Sequence, residues 1–235
     1  MDGSRAEVLG KIRLALAKPR PEHHHGHRLQ ITDLRKLFTS VGSREGLLEK
    51  FGAEFERVSG EFTTCPSREA MVEVIKNVIV STEFKSVAIS RHEICDGLLE
   101  KLKAELPEVH FLREDIDSEN PFARKRLREA LSEVQLSITG AEYLLADSGT
   151  ILVCAGSQAS RQISLLPTAH LVLAHARQIY PNIAEAFLAI QQKHGTTLPG
   201  SALTLITGPS RTADIEKVLI KGVHGPTRIL AIILT

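Results

Sequence analysis

The most legible pattern lies in the last third of the chain, where short apolar runs alternate with amphipathic segments. Residues 150–155, 171–174, 202–207 and 229–234 are apolar runs of strand length, and segments with helical signals separate the last three. Asn182 stands at a helix start with Glu185 three residues on, and Lys193-His194-Gly195 supplies a cation and a stop. A second helix is expected from about Thr212 to Gly222, with Ile215, Val218 and Leu219 on one face. Strand, helix, strand, helix, strand predicts parallel pairing, and near-continuous apolar strands predict cover on both faces. Residues 143–146 and 150–155 flank Asp147-Ser148-Gly149 and read as a hairpin. The expected fold is therefore α/β, a mostly parallel sheet flanked by helices, mixed if that hairpin joins it.

Upstream the pattern is looser. Ser67 can cap a helix whose Met71, Val74, Ile75 and Val78 recur at helical spacing, and residues 87–89 follow as a short buried strand. Before that, Val8, Ile12, Leu14 and Leu16 fit a short amphipathic helix stopped by Lys18-Pro19-Arg20-Pro21. Leu34, Leu37, Phe38, Leu47, Leu48 and Phe51 suggest one or two more, broken at Gly42. The expected division is a helical region over 1–60 containing a His- and Pro-bearing linker, followed by an α/β domain over 61–235. The run His23-His24-His25-Gly26-His27 has metal-ligand chemistry, but no periodic element fixes its geometry, so it reads as solvated linker.

Charge narrows the partners. Lys and Arg number 29 against 28 Asp and Glu, which leaves no net field for nucleic acid or an anionic membrane. Arg124, Lys125, Arg126 and Arg128 lie close to Glu129 and Glu133 without interleaved aromatics, the composition of a solvated helix face. No apolar run approaches the roughly 20 residues of a membrane helix. Cys65, Cys95 and Cys154 are widely spaced, with no C-x-x-C, which argues against a disulfide framework, a metal site or a cluster in this chain. They read as free thiols in a reducing cytoplasm.

Candidate chemistry gathers at a few points. The strand over 202–207 runs into Gly208-Pro209-Ser210-Arg211-Thr212-Ala213-Asp214, where a helix is expected to begin. Free N–H groups and the Arg211 fork could hold a carboxylate or phosphate there. Equally, Ser210 or Thr212 could cap that helix while Asp214 and Glu216 complement its dipole. No glycine-rich nucleotide fingerprint decides between the two. Asp147, Gly149 and Thr150 form a turn that could face a cleft, and Arg161 lies in a polar loop. His170 and His224 sit at strand starts, on the rim opposite that expected for ligands of a parallel sheet. No Ser/His/Asp or Cys/His spacing marks a nucleophile, so catalytic residues stay unassigned.

Taken together, Ala146-Asp147-Ser148-Gly149-Thr150, then Arg161, Ser164-Leu165-Leu166-Pro167 and His170, then residues 207–216 and Gly222-Val223-His224-Gly225-Pro226, are similar in order and spacing to the LUD domain family. The resemblance is clear from about residue 140 onward. Ser148 departs from the threonine usual in the motif but keeps the hydroxyl. The resemblance implies a fold related to glucosamine-6-phosphate deaminase, ribose-phosphate isomerase and CoA-transferases. It also implies a place in a multi-protein system oxidising L-lactate to pyruvate, with iron-sulfur clusters in partner subunits. The missing C-x-x-C matches the members that lack a cluster module. The alternative is a stand-alone transferase or isomerase acting on a small anionic metabolite, and the absent nucleophile favours the first.

Overall fold

The computed structural model describes residues 9–11, 13, 44–113, 121–156, 159–195, 200–215, 218–221 and 225–235. For residues 44, 121, 124, 212–215 and 218–221 it describes the backbone alone. Most of the first expected helix, the histidine run and His224 lie outside the described residues. Residues 38–235 form one compact unit.

That unit is organised by a six-stranded, wholly parallel sheet. In chain order its strands are β1 (Glu61–Cys65), β2 (Ser86–Ile89), β3 (His110–Arg113), β4 (Leu136–Gly140), β7 (Ala169–His175) and β12 (Arg228–Leu234). Across the sheet they run β1-β12-β7-β4-β2-β3. The expected α/β class and mostly parallel sheet are thus observed.

Alternation along each strand divides the core between two faces. Leu171, Leu173, Leu230 and Ile232 point to one face and pack with Met71, Ile75 and Ile79 of α2 (Arg68–Ser81) and with Leu98 and Leu102 of α3 (Leu98–Glu105). Helix α2 begins where Ser67 accepts the Ala70 N–H at 3.2 Å, the cap read from sequence. Val172, Ala174, Ile229, Ala231 and Ile233 point the other way, onto Phe51 and Phe55 of α1 (Arg44–Arg57) and onto a second sheet. Helix α4 (Pro121–Ser132) places Leu131 against Ala88 of β2.

The second sheet has four strands, β8 (Ile179–Tyr180), β5 (Tyr143–Leu145), β6 (Thr150–Ala155) and β9 (Ala202–Ile206), in that spatial order. The expected hairpin is its β5–β6 pair. Helix α5 (Ile183–His194) covers its outer side through Ala186 and Ile190, starting where Asn182 accepts the Glu185 N–H at 3.1 Å and ending at Gly195.

Two expectations fail here. The strand over 202–206 does not join the parallel sheet between β7 and β12; it runs antiparallel to β6. The helix expected over 212–222 is instead a separate antiparallel pair, β10 (Arg211–Ile215) and β11 (Val218–Lys221). Apolar residues at spacings of three and four cannot separate a short helix from a tight hairpin, and Ile215, Val218 and Ile220 are β-branched residues that favour strands. Among the described residues no helix is long and apolar enough to cross a membrane.

Candidate functional site

Three neighbouring parallel strands, β7, β4 and β2, end along one rim, the edge where open α/β sheets collect ligands. Each exit contributes side chains to a cleft of about 460 Å3, within the size range of small-molecule sites. His92 and Glu93 follow β2, Glu142 and Tyr143 follow β4, and Arg177 and Gln178 follow β7. Opposite them stand Cys154 at the far end of β6 and Lys193 and His194 in the last turn of α5. Gln178 holds the rim together. Its Oε1 accepts the His175 N–H at 2.6 Å, and its Nε2 donates to the carbonyls of Ala141 and Glu142 at 2.5 and 3.1 Å.

Behind His92 lies a second cavity of about 20 Å3, lined by Thr139, Arg161 and Ser164 among others, with His92 and Cys154 shared between the two. The His92 ring occupies the space above Gly140: a Cβ there would fall 2.2 Å from the imidazole. His92 Nδ1 accepts the Ile94 N–H at 3.3 Å, which opens the short 3-10 turn Glu93–Cys95 and fixes the ring.

Burial pulls the His92 imidazole below its ordinary value, against the opposing pull of Glu142, Glu93 and Asp96. Burial and Glu142 together push the Cys154 thiol up, so it stays protonated and is a poor nucleophile. The cleft sets two cations, Arg177 and Lys193, beside two carboxylates, Glu93 and Glu142, and adds the imidazole of His92, which burial favours in its neutral form. This arrangement can bind and orient a small polar anion. The thiols do not fit a four-thiolate cluster: Cys65 and Cys95 are buried in one apolar cluster and Cys154 stands apart on β6.

Residues 48–234 match a family model described as the LUD domain. The chain belongs to the LUD domain family. A relative from Bacillus mycoides, Lactate utilization protein C 1, is 28% identical over 98% of this chain and 97% of its own length. Lactate utilization protein C from Halalkalibacterium halodurans is 35% identical over 52% of this chain. The aligned part spans about half of that relative's length, 54%, and 43% of the Bacillus subtilis protein of the same name, which is 37% identical. A crystal structure of a DUF162 family protein from Deinococcus radiodurans superposes with a TM-score of 0.56, covering 83% of this chain and all of that one at 18% identity, a likeness of fold.

The LUD motif residues do not gather in the cleft. Asp147, Gly149 and Thr150 lie at the opposite end of β6 from Cys154, roughly 13 Å away at about 3.3 Å per residue. Exposed Asp147 donates its N–H to the Pro181 carbonyl at 3.0 Å. Thr150 Oγ1 meets Ser148 Oγ at 2.9 Å and Thr207 Oγ1 at 2.8 Å. Gly208, at φ 75°, approaches Val58 so closely that a Cβ would sit 2.3 Å from its carbonyl oxygen. Pro209 is buried beside it, and the Ser210 N–H donates to Pro226. Arg211 donates to the Val58 carbonyl at 2.9 Å and to the Ser59 hydroxyl, tying this segment to the end of α1 near the amino rim of the parallel sheet.

Thr212 and Asp214 lie in β10, their side chains outside the description. The helix start that argued for an anion site over 208–214 is therefore a strand. Arg161 does reach the rim cavity, and buried His170 touches it indirectly, 2.8 Å from Thr139 Oγ1. His92, Glu142, Arg177 and Lys193 were missed by the sequence reading, although His92 and Arg177 stand two or three residues past strand ends, the position the strand-end rule singles out. Arg211→Ala should lower stability by about 1 kcal/mol, a fall in Tm of roughly 2–4 °C for a domain of this size, with ligand binding retained. Lost binding at an unchanged Tm would return the ligand role to Arg211.

Proposed function

We propose that this protein is a cytoplasmic subunit of an L-lactate utilisation system that oxidises L-lactate to pyruvate together with iron-sulfur partner proteins. The observation that carries the reading is the end-to-end match to the Bacillus mycoides relative named Lactate utilization protein C 1. The rim cleft supports it physically, because cations and neutral donors at strand ends suit a small carboxylate. Oxidation of L-lactate removes two electrons and two protons. This chain's thiols cannot hold the clusters that would take those electrons, so the electrons pass to partner subunits whose cysteines can. The contribution of this chain is to bind and orient, through Arg177, Lys193 and the histidines, rather than to carry charge.

Deleting the gene should abolish growth on L-lactate as sole carbon source while growth on pyruvate continues, in a strain without a second L-lactate dehydrogenase. A tagged copy should restore growth and co-purify with cysteine-rich, iron-containing proteins. Unimpaired growth of the deletion strain on L-lactate would overturn the reading.

A further inference from the structure

The cavity behind His92 holds about 20 Å3, room for roughly one water-sized group. The hydrogen bonds around it fix which polar atoms of its lining residues are left free to donate. His92 Nδ1 accepts the Ile94 N–H, so the neutral ring carries its proton on Nε2, leaving Nε2–H as the ring's donor for the two cavities it lines.

The second histidine works one residue away. His170 is fully buried on β7, with Nε2 2.8 Å from Thr139 Oγ1 and no hydrogen-bond partner for Nδ1 among the described residues. A buried N–H without an acceptor is rarer and costlier than an unused lone pair, so the proton belongs on Nε2 and is donated to Thr139. Thr139 Oγ1 then accepts from His170, which frees its own O–H to donate into the cavity that Thr139 lines. Arg161, an exposed residue of the loop after β6, lines the same cavity, and its guanidinium has only donors to offer. Among the described residues no carboxylate lines it, whereas the larger cleft beside it carries Glu93 and Glu142.

We propose that this small cavity is the carboxylate subsite of the protein, in which Thr139, His92 and Arg161 hold a carboxylate oxygen of a small 2-hydroxy or 2-oxo monocarboxylate whose body lies in the adjoining cleft. His170 is a positioning residue that acts through Thr139. The choice of acid rests on the lactate reading above; the subsite itself rests on the donor geometry. The arrangement also explains Gly140, because any side chain there would evict the His92 ring.

The test is direct binding to the purified full-length chain by isothermal titration and ligand-observed NMR, with sodium L-lactate and sodium pyruvate as probes and sodium chloride at matched ionic strength as control. Wild type should bind at least one of the two acids saturably. Arg161→Ala and Thr139→Val should each weaken that binding about tenfold or more, the loss of a hydrogen bond to a charged group. Thr139→Ser should retain it. His170→Gln, whose amide can still donate to Thr139, should stay close to wild type, while His170→Leu loses binding as Thr139→Val does. A merely structural role for His170 would not separate those two variants when both are measured below their Tm. Arg211→Ala, outside the subsite, should bind as wild type.

Equal affinity in wild type, Arg161→Ala and Thr139→Val would overturn the subsite, as would no saturable binding of either acid by folded wild type. The two proposals fail separately. Binding that depends on Arg161 and Thr139, in a protein whose deletion leaves lactate growth intact, keeps the subsite and sinks the lactate function. Lost growth with binding indifferent to both variants does the reverse.

Discussion

Gly149→Ala should destabilise the folded state by about 4 kcal/mol or more, near the top of the range for single substitutions. Two independent causes add. Gly149 has φ 59°, a left-handed backbone that costs a residue with a Cβ about 1–2 kcal/mol. Its Cβ would also fall 2.3 Å from the Phe55 nitrogen and 2.5 Å from the Glu54 carbonyl carbon, both backbone atoms of α1. That helix cannot step back cheaply, because Phe51 and Phe55 on its inner face are fully buried and stacked at 5.4 Å. Gly97, just before α3, provides the control: at φ 71° it too is left-handed, but nothing lies within 4 Å of its Cβ position. Gly97→Ala should therefore lose only about 1–2 kcal/mol. Urea unfolding of the two variants isolates the contact term, and equal losses would refute the close-approach argument. A loss of that size would show that the glycine of the Asp147–Thr150 turn holds α1 against β6.

What sequence made legible, and what it hid, follows from how many constraints each element carries. Helices α2 and α5 were readable because periodicity, a side-chain cap and, for α5, a glycine stop agree with one another. Strands β7 and β12 were readable because they are buried on both faces and so nearly uniform in apolarity. Strand β4 was not foreseen. Leu136-Ser137-Ile138-Thr139-Gly140 alternates like a half-solvated strand, yet every residue is buried. Its hydroxyls are satisfied inside, Ser137 on the Ala169 carbonyl at 3.4 Å and Thr139 on His170. Those partners are remote in sequence, and they are the reason polar residues survive at the centre of the sheet. The β10–β11 hairpin was hidden for the opposite reason, being too short for its period to be measured.

The candidate site shows the same division. The rule that ligands gather at the carboxyl ends of parallel strands points from sequence to the strand over 202–207, but that strand belongs to the other sheet and ends near Val58. Arg161, singled out in its polar loop, does line the small cavity. Glu142, His92 and Arg177 required knowing that β4, β2 and β7 lie side by side, a fact of topology that no local pattern carries.

Acid should weaken this fold through His170 in particular. The side chain is fully buried on a strand flanked by β12 and β4, and burial pulls its pKa from 6.5 down to about 4. The depressed value means that the folded protein keeps the ring neutral while the unfolded chain takes up a proton below pH 6.5. The contribution of His170 is therefore complete above pH 6.5 and is lost as pH falls from there toward about 4. At about 1.4 kcal/mol per unit the loss across that window is about 3 kcal/mol. His92 and His175 are also pulled down by burial and act in the same direction, so the wild-type curve alone does not isolate His170. The difference between wild type and His170→Gln does. Urea midpoints measured from pH 7.5 to pH 4.5 should fall less steeply in the variant, by about one proton's worth of slope in the middle of the window. Identical slopes would mean that the ring is charged, or solvated, in the folded state. That outcome would also remove the fixed neutral tautomer on which the orientation of the Thr139 hydroxyl depends.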